Sequence, residues 1–103
     1  MAILQQFEYT WPDGTTPITF TNWIATLTQA EKDEFAPALA RQDAIRQQWI
    51  DNGLLELVDR VGYRWKDQDT FNIGKPVDPT WLTYWNRWQE ETGVIFSYNV
   101  VQS

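Results

Sequence analysis

Apolar and polar positions change period several times along the chain, and each change marks an element. Residues 2–11, AILQQFEYTW, alternate: Ile3, Phe7 and Tyr9 fall on one side, and Leu4, Gln6 and Glu8 on the other. Period two over a β-prone stretch predicts a strand. Pro12-Asp13-Gly14 then signals a turn, and a short hairpin partner over residues 18–20 is expected after it. From Phe20 the period becomes helical, with Phe20, Trp23, Ile24 and Leu27 at i, i+3, i+4 and i+7 and Thr19 as N-cap. Thr28 and Glu31 form a capping box, in which each side chain satisfies the other's backbone N–H. It opens a long helix that runs to about Asn52 and stops at Gly53. Pro37 lies inside that run and predicts a kink or split there.

Residues 54–67 read as two strands paired antiparallel, with one bent strand as the alternative. Residues 68–79 read as irregular, broken by Gly74 and Pro76. Asp78 as N-cap and Pro79 at the first helical position begin a helix that ends at Gly93. Residues 94–101 close the chain as a strand. Val94, Phe96, Tyr98 and Val100 lie on one side, and Ile95, Ser97, Asn99 and Val101 on the other. No internal repeat or linker interrupts the series, so residues 1–103 are read as a single α+β domain.

The resulting order, β, interrupted α, β, β, α, β, resembles the ferredoxin-like βαββαβ arrangement. The resemblance covers most of the chain, at the level of element order alone. It implies an antiparallel sheet with the helices on one face and the first helical segment split near Pro37. Small proteins of this plan often pair through the open sheet face, as dimeric α/β-barrels do, and by analogy a homodimer is expected.

Composition narrows the chemistry. Histidine and cysteine are both absent. That removes Ser-His-Asp and Cys-His nucleophile systems, disulfides, and His- or Cys-ligated metals. The net charge is −6, with eight basic residues scattered among fourteen acidic ones, whereas phosphate backbones are bound by clustered Lys and Arg. Nucleic acid and anionic membranes are therefore not expected partners. No apolar run approaches the roughly 20 residues of a spanning helix. The N-terminal residues lack the pattern of a signal peptide, so a cytoplasmic location is expected. The five glycines are isolated and form no phosphate loop, and no cofactor is expected. Asp67-Gln68-Asp69 begins like a calcium loop. Phe71 then stands at the third ligand position, and position 72 lacks the turn glycine, so a polar loop is expected and no metal site. Glu8 and Glu56 could meet on neighbouring strands as an acid–base pair, but nothing selects them over other surface acids.

Seven Trp residues in 103 give two candidate surfaces. On the helix of residues 79–92, Trp81, Tyr84, Trp85 and Trp88 share an arc of about 100° opposite Thr83, Asn86, Arg87 and Glu90. Such a one-sided stripe is expected to face the core or an oligomer interface. The long helix breaks its own pattern: Gln42 and Arg46 project from a face that carries Ala38, Leu39, Ile45, Trp49 and Ile50. A polar group on an apolar face needs a partner. The partner could be a ligand held by Arg46, Gln42, Trp49, Tyr63 and Trp65, or an acid such as Glu56 or Asp59.

Three functional readings follow. Foremost is a non-enzymatic binding or assembly module, homo-oligomeric through a sheet whose strands carry apolar residues on both sides, as Leu54 and Val58 oppose Leu55 and Leu57. Behind it stands a cofactor-free ligand-binding protein or enzyme of the dimeric α/β-barrel type, with an aromatic pocket for a small apolar or aromatic ligand. An enzyme is disfavoured, because catalysis would have to proceed without histidine. Last comes carbohydrate recognition through exposed Trp.

Overall fold

Local signals in the chain account for most of the elements seen in a computed structural model, which describes residues 2–58, 62–73 and 78–102. The order is β1 (Ile3–Thr10), α1 (Phe20–Ile24), α2 (Gln29–Asp51), β2 (Leu55–Val58), β3 (Gly62–Trp65), α3 (Gln68–Ile73), α4 (Pro79–Thr92) and β4 (Ile95–Gln102). The strands form one antiparallel sheet in the order β2-β3-β1-β4, so the protein is α+β with four helices among its described residues. The positions of Asp59, Gly74 and Pro76 lie outside the described residues.

Caps set the helix ends. Thr19 Oγ1 accepts the Asn22 N–H at 3.2 Å and starts α1. Thr28 and Glu31 exchange bonds at 3.1 and 3.2 Å and start α2. At the far end of α2, Gly53 N–H donates to Ile50 and Leu54 N–H to Trp49, both at 3.0 Å. This double closure turns the chain through a left-handed residue, and Gly53 has φ +72°. α4 begins at Asp78-Pro79 and ends at Gly93, as its sequence predicts.

Four expectations are corrected. Residues 18–20 form no hairpin strand: Phe20 instead begins α1, because Thr19 caps a helix there. α2 is not split at Pro37. Pro37 forfeits the bond its N–H would give to Asp33 and crowds that carbonyl with its ring, yet the helix runs on through it, with Phe35 and Ala38 buried on either side. Residues 68–73 are helical rather than irregular. Asp67 Oδ1 accepts the Thr70 N–H at 2.7 Å, and Phe71 N–H donates to the Asp67 carbonyl, so the acid that resembled a cation ligand is a helix cap. The Thr70 bonds also hold the Asp67 carboxyl below its ordinary titration range. On α2, Leu39 is exposed rather than part of an inner stripe.

The described chain divides into two compact units, each assembled from separate stretches. One comprises residues 1–8, 43–76 and 97–103. Its core is Ile3, Leu55, Trp65 and Phe71, with Trp49, Ile50 and Tyr63 packed against them. Register explains the first three: Ile3 lies opposite Trp65, and Trp65 opposite Leu55, so they stand side by side on one face. The neighbouring row, Leu4, Arg64 and Glu56, points to the other face, where Arg64 Nη1 donates to Glu56 Oε2 at 3.2 Å in exposed surroundings. Gly62, opposite Gln6, is buried where a Cβ would be driven into the Gln5 carbonyl oxygen.

The other unit comprises residues 9–42 and 77–96. Its core is Trp23, Phe35, Tyr84, Trp88 and Val94, surrounded by Trp11, Ile18, Phe20, Ile24, Leu27, Trp81 and Trp85. The aromatic stripe of α4 therefore packs inward. Trp88 is 1% exposed, and its indole N–H donates to the Ile18 carbonyl at 3.0 Å. Rings of Phe20 and Trp85 meet it at 5.7 and 4.9 Å between centroids.

Candidate functional site

Of the five residues singled out by the broken pattern of α2, four share one unit and the fifth does not. Gln42 belongs to the unit that holds α4, where its Oε1 accepts the Asp78 backbone N–H at 2.8 Å. Beside it, Arg41 donates from Nε to Asp78 Oδ2 at 2.6 Å and from Nη2 to Oδ1 at 3.3 Å. Asp78 Oδ1 also accepts the Thr80 and Trp81 N–H groups, each at 3.1 Å. The Asp78 carboxylate is 9% exposed and met by four donors. The Arg41 guanidinium, more than any other group, lowers its titration range, and Asp78 raises that of Arg41 in turn. Such a network fastens α2 to the start of α4, and Arg41, which the sequence pattern does not single out, is its anchor.

Arg46 is exposed and engaged at both ends of its fork. Nη2 donates to Asp43 Oδ1 at 2.7 Å, one helical turn back, and Nη1 to the Tyr63 hydroxyl at 3.3 Å. Of the two expected acids, Glu56 pairs with Arg64 and Asp59 lies outside the described residues. Trp65 is buried, edge-on to Trp49 at 6.0 Å and to Phe71 at 6.0 Å, with its N–H 3.4 Å from Gln5 Oε1. Tyr63 also meets Phe7 edge-on at 5.5 Å. Trp49, Tyr63 and Trp65 are therefore parts of a packed aromatic core that Arg46 caps.

A second cation clamp lies on α4. Arg87 donates from Nη1 to Glu31 at 2.7 Å and from Nε to Glu91 at 3.2 Å. Its guanidinium carbon stands 5.4 Å from the Trp23 ring centroid and 5.2 Å from that of Tyr84. Arg87 depresses the Glu31 carboxyl, while burial is the main cause that raises the Tyr84 hydroxyl. Each partner is thereby committed to another within the fold. Among the described residues no three acidic side chains converge as a metal would require, and no helix is long and apolar enough to cross a membrane.

A further candidate surface is β4, whose Phe96 meets the rings of Tyr9 and Trp85 at 5.2 and 5.5 Å and whose Tyr98 meets Phe7 at 6.4 Å, while other groups along it stay exposed. It is a terminal strand of the sheet, eight residues long, and carries no charge. Ile95 is 62% exposed, Tyr98 49%, Val100 44% and Val101 49%. Successive residues of a strand point to opposite faces, so apolar groups are presented on both. The sequence signal was available: no charged residue occurs after Glu91. In contrast, all seven Trp side chains are buried or half-buried. No family model, characterised protein or solved structure matches this chain.

Proposed function

We propose that this protein is a non-enzymatic binding and assembly module that associates with itself through its sheet, forming a homodimer. The observation that carries this reading is the uncharged terminal strand β4, with Ile95, Tyr98, Val100 and Val101 all open to solvent. Soluble chains blunt such edges with charge, proline or a bulge, and exposed apolar surface marks an interaction site. The ferredoxin-like plan, with the helices on one face, belongs to this proposal, and the strand order β2-β3-β1-β4 supports it. Small proteins of that plan often pair through the open sheet face, and the analogy extends to self-association alone. A cytoplasmic location fits a chain without cysteine.

The rival readings have less behind them. A ligand at Arg46 would have to displace Asp43 and Tyr63. A sugar platform would need an open indole face, and each Trp is at least half-buried. Static light scattering on a dilution series through the micromolar range tests the proposal. A mass that rises toward twice 12.2 kDa is expected, and 12.2 kDa at every concentration would refute it.

A further inference from the structure

Resting on the self-association reading above, we infer that the partner is a second copy bound edge to edge: β4 pairs antiparallel with β4 about a two-fold axis at Tyr98, extending the sheet across the dimer. Two edges are available, and they differ. β2 has four residues and presents Glu56, which pairs with Arg64. β4 has eight residues with no charge, proline or glycine. By the usual devices that protect an edge, β2 is defended and β4 is not.

The pattern of β4 selects the partner. A two-fold axis perpendicular to the sheet keeps each face continuous, so a residue must lie opposite one of its own face, and the paired numbers must sum to an even value. Centred on Tyr98, Ile95 lies opposite Val101, Phe96 opposite Val100, Ser97 opposite Asn99, and Tyr98 opposite itself. From residue 95 to residue 101 apolar meets apolar and polar meets polar, and only Gln102, opposite Val94, departs from the match. A shift of the centre to Asn99 would put Phe96 against Gln102 and Ser97 against Val101, so that match is lost. Charge points the same way. Two copies at −6 repel, and a self-interface is least opposed where no side chain is charged, which is the case along β4. Cross-strand pairs of this type are favourable, and one edge of this length is a small interface, so association in the micromolar range is expected.

Because the chain has no cysteine, one introduced thiol reports the register. At the centre, opposed Cα atoms would stand about 4.5–5.5 Å apart, within disulfide range. Two thiols at position 99 would be offset by two residues, with Cα atoms about 8 Å apart and out of range. Under mild oxidation Tyr98→Cys is expected to yield covalent dimer at least about ten-fold faster than Asn99→Cys. Val100→Lys should weaken association about ten-fold or more, with an unchanged circular dichroism spectrum. Should Tyr98→Cys fail to fold, the double variant Ile95→Cys/Val101→Cys places two thiol pairs across the same axis and is compared with Asn99→Cys in the same way. If the wild-type protein associates, Val100→Lys leaves it intact and position 98 cross-links no faster than 99, edge pairing is wrong while self-association stands. A wild-type chain monomeric at every concentration overturns both.

Discussion

Trp88→Phe and Trp11→Phe remove the same atoms from the same unit, yet their consequences should differ in size and sign. At Trp88 the ring is 1% exposed and its N–H is bonded to the Ile18 carbonyl. The exchange loses about 1–1.5 kcal/mol of buried apolar contact, and the hydrogen bond contributes about 1 kcal/mol more. The expected loss is therefore about 2–3 kcal/mol, which lowers the thermal midpoint by about 10 °C or more. Trp11 packs on the rim of the same cluster, but its buried Nε1 has no acceptor among the described residues. Removing an unpaired donor relieves about 1–3 kcal/mol of desolvation, which offsets the lost contact of a half-buried ring. Trp11→Phe should thus be neutral or stabilising by about 1 kcal/mol. Urea unfolding followed by far-ultraviolet circular dichroism measures both without relying on the substituted fluorophore. Equal losses, within about 0.5 kcal/mol, would refute the assignment of the two indole N–H groups.

Three further outcomes follow from the packing. Gly62→Ala drives a Cβ into the Gln5 carbonyl and within 3.2 Å of the Gln6 Cα, both backbone atoms. It should destabilise by about 2 kcal/mol or more in the same urea assay, and wild-type stability would contradict the close approach of β1 and β3. Pro37→Ala restores a donor to the turn that already holds Phe35 and Ala38, so a gain of about 1–3 kcal/mol is expected, and a loss would mean that Pro37 packs in a way its exposed position does not suggest. The Asp78 carboxyl titrates below its ordinary value of 3.8, with Arg41 as the main cause. The folded chain thus binds that proton less readily than the unfolded one. The stabilisation is complete above the ordinary value and is lost as pH falls through the lowered one. Asp78→Asn should be the less stable protein near neutrality and show a shallower loss of thermal midpoint on acidification, whereas parallel curves would sink the Arg41–Asp78 account.

Local signals in the sequence were faithful where one or two neighbours decide the outcome. Thr19, Thr28 with Glu31, Asp78-Pro79 and Gly93 mark helix ends within a few residues of themselves, and all four do so in the structure. The alternation of residues 2–11 and 94–101 likewise gave two strands. What was illegible depends on distant partners. Pro37 ought to break a helix, yet this one continues, with Phe35 and Ala38 buried on either side. Asp67 read as part of a polar loop because its capping role requires Phe71 to find Trp65 in the core. Gln42 and Arg46 look alike from α2, four residues apart on one helical face. Their partners differ: Asp78 is 36 residues from Gln42, while Arg46 turns to Asp43 and Tyr63. No periodicity encodes that choice. The open edge was concealed by the same gap, since a closing strand is an edge only once the order of the other three is known.

Sedimentation equilibrium of the wild-type chain beside Val100→Lys, at matched micromolar concentrations, tests the assembly through β4 most directly. A monomer–dimer mixture rising from 12.2 kDa toward twice that mass is expected for the wild type, and for the variant the same rise displaced to concentrations about ten-fold higher or more. Identical curves for the two proteins would contradict it.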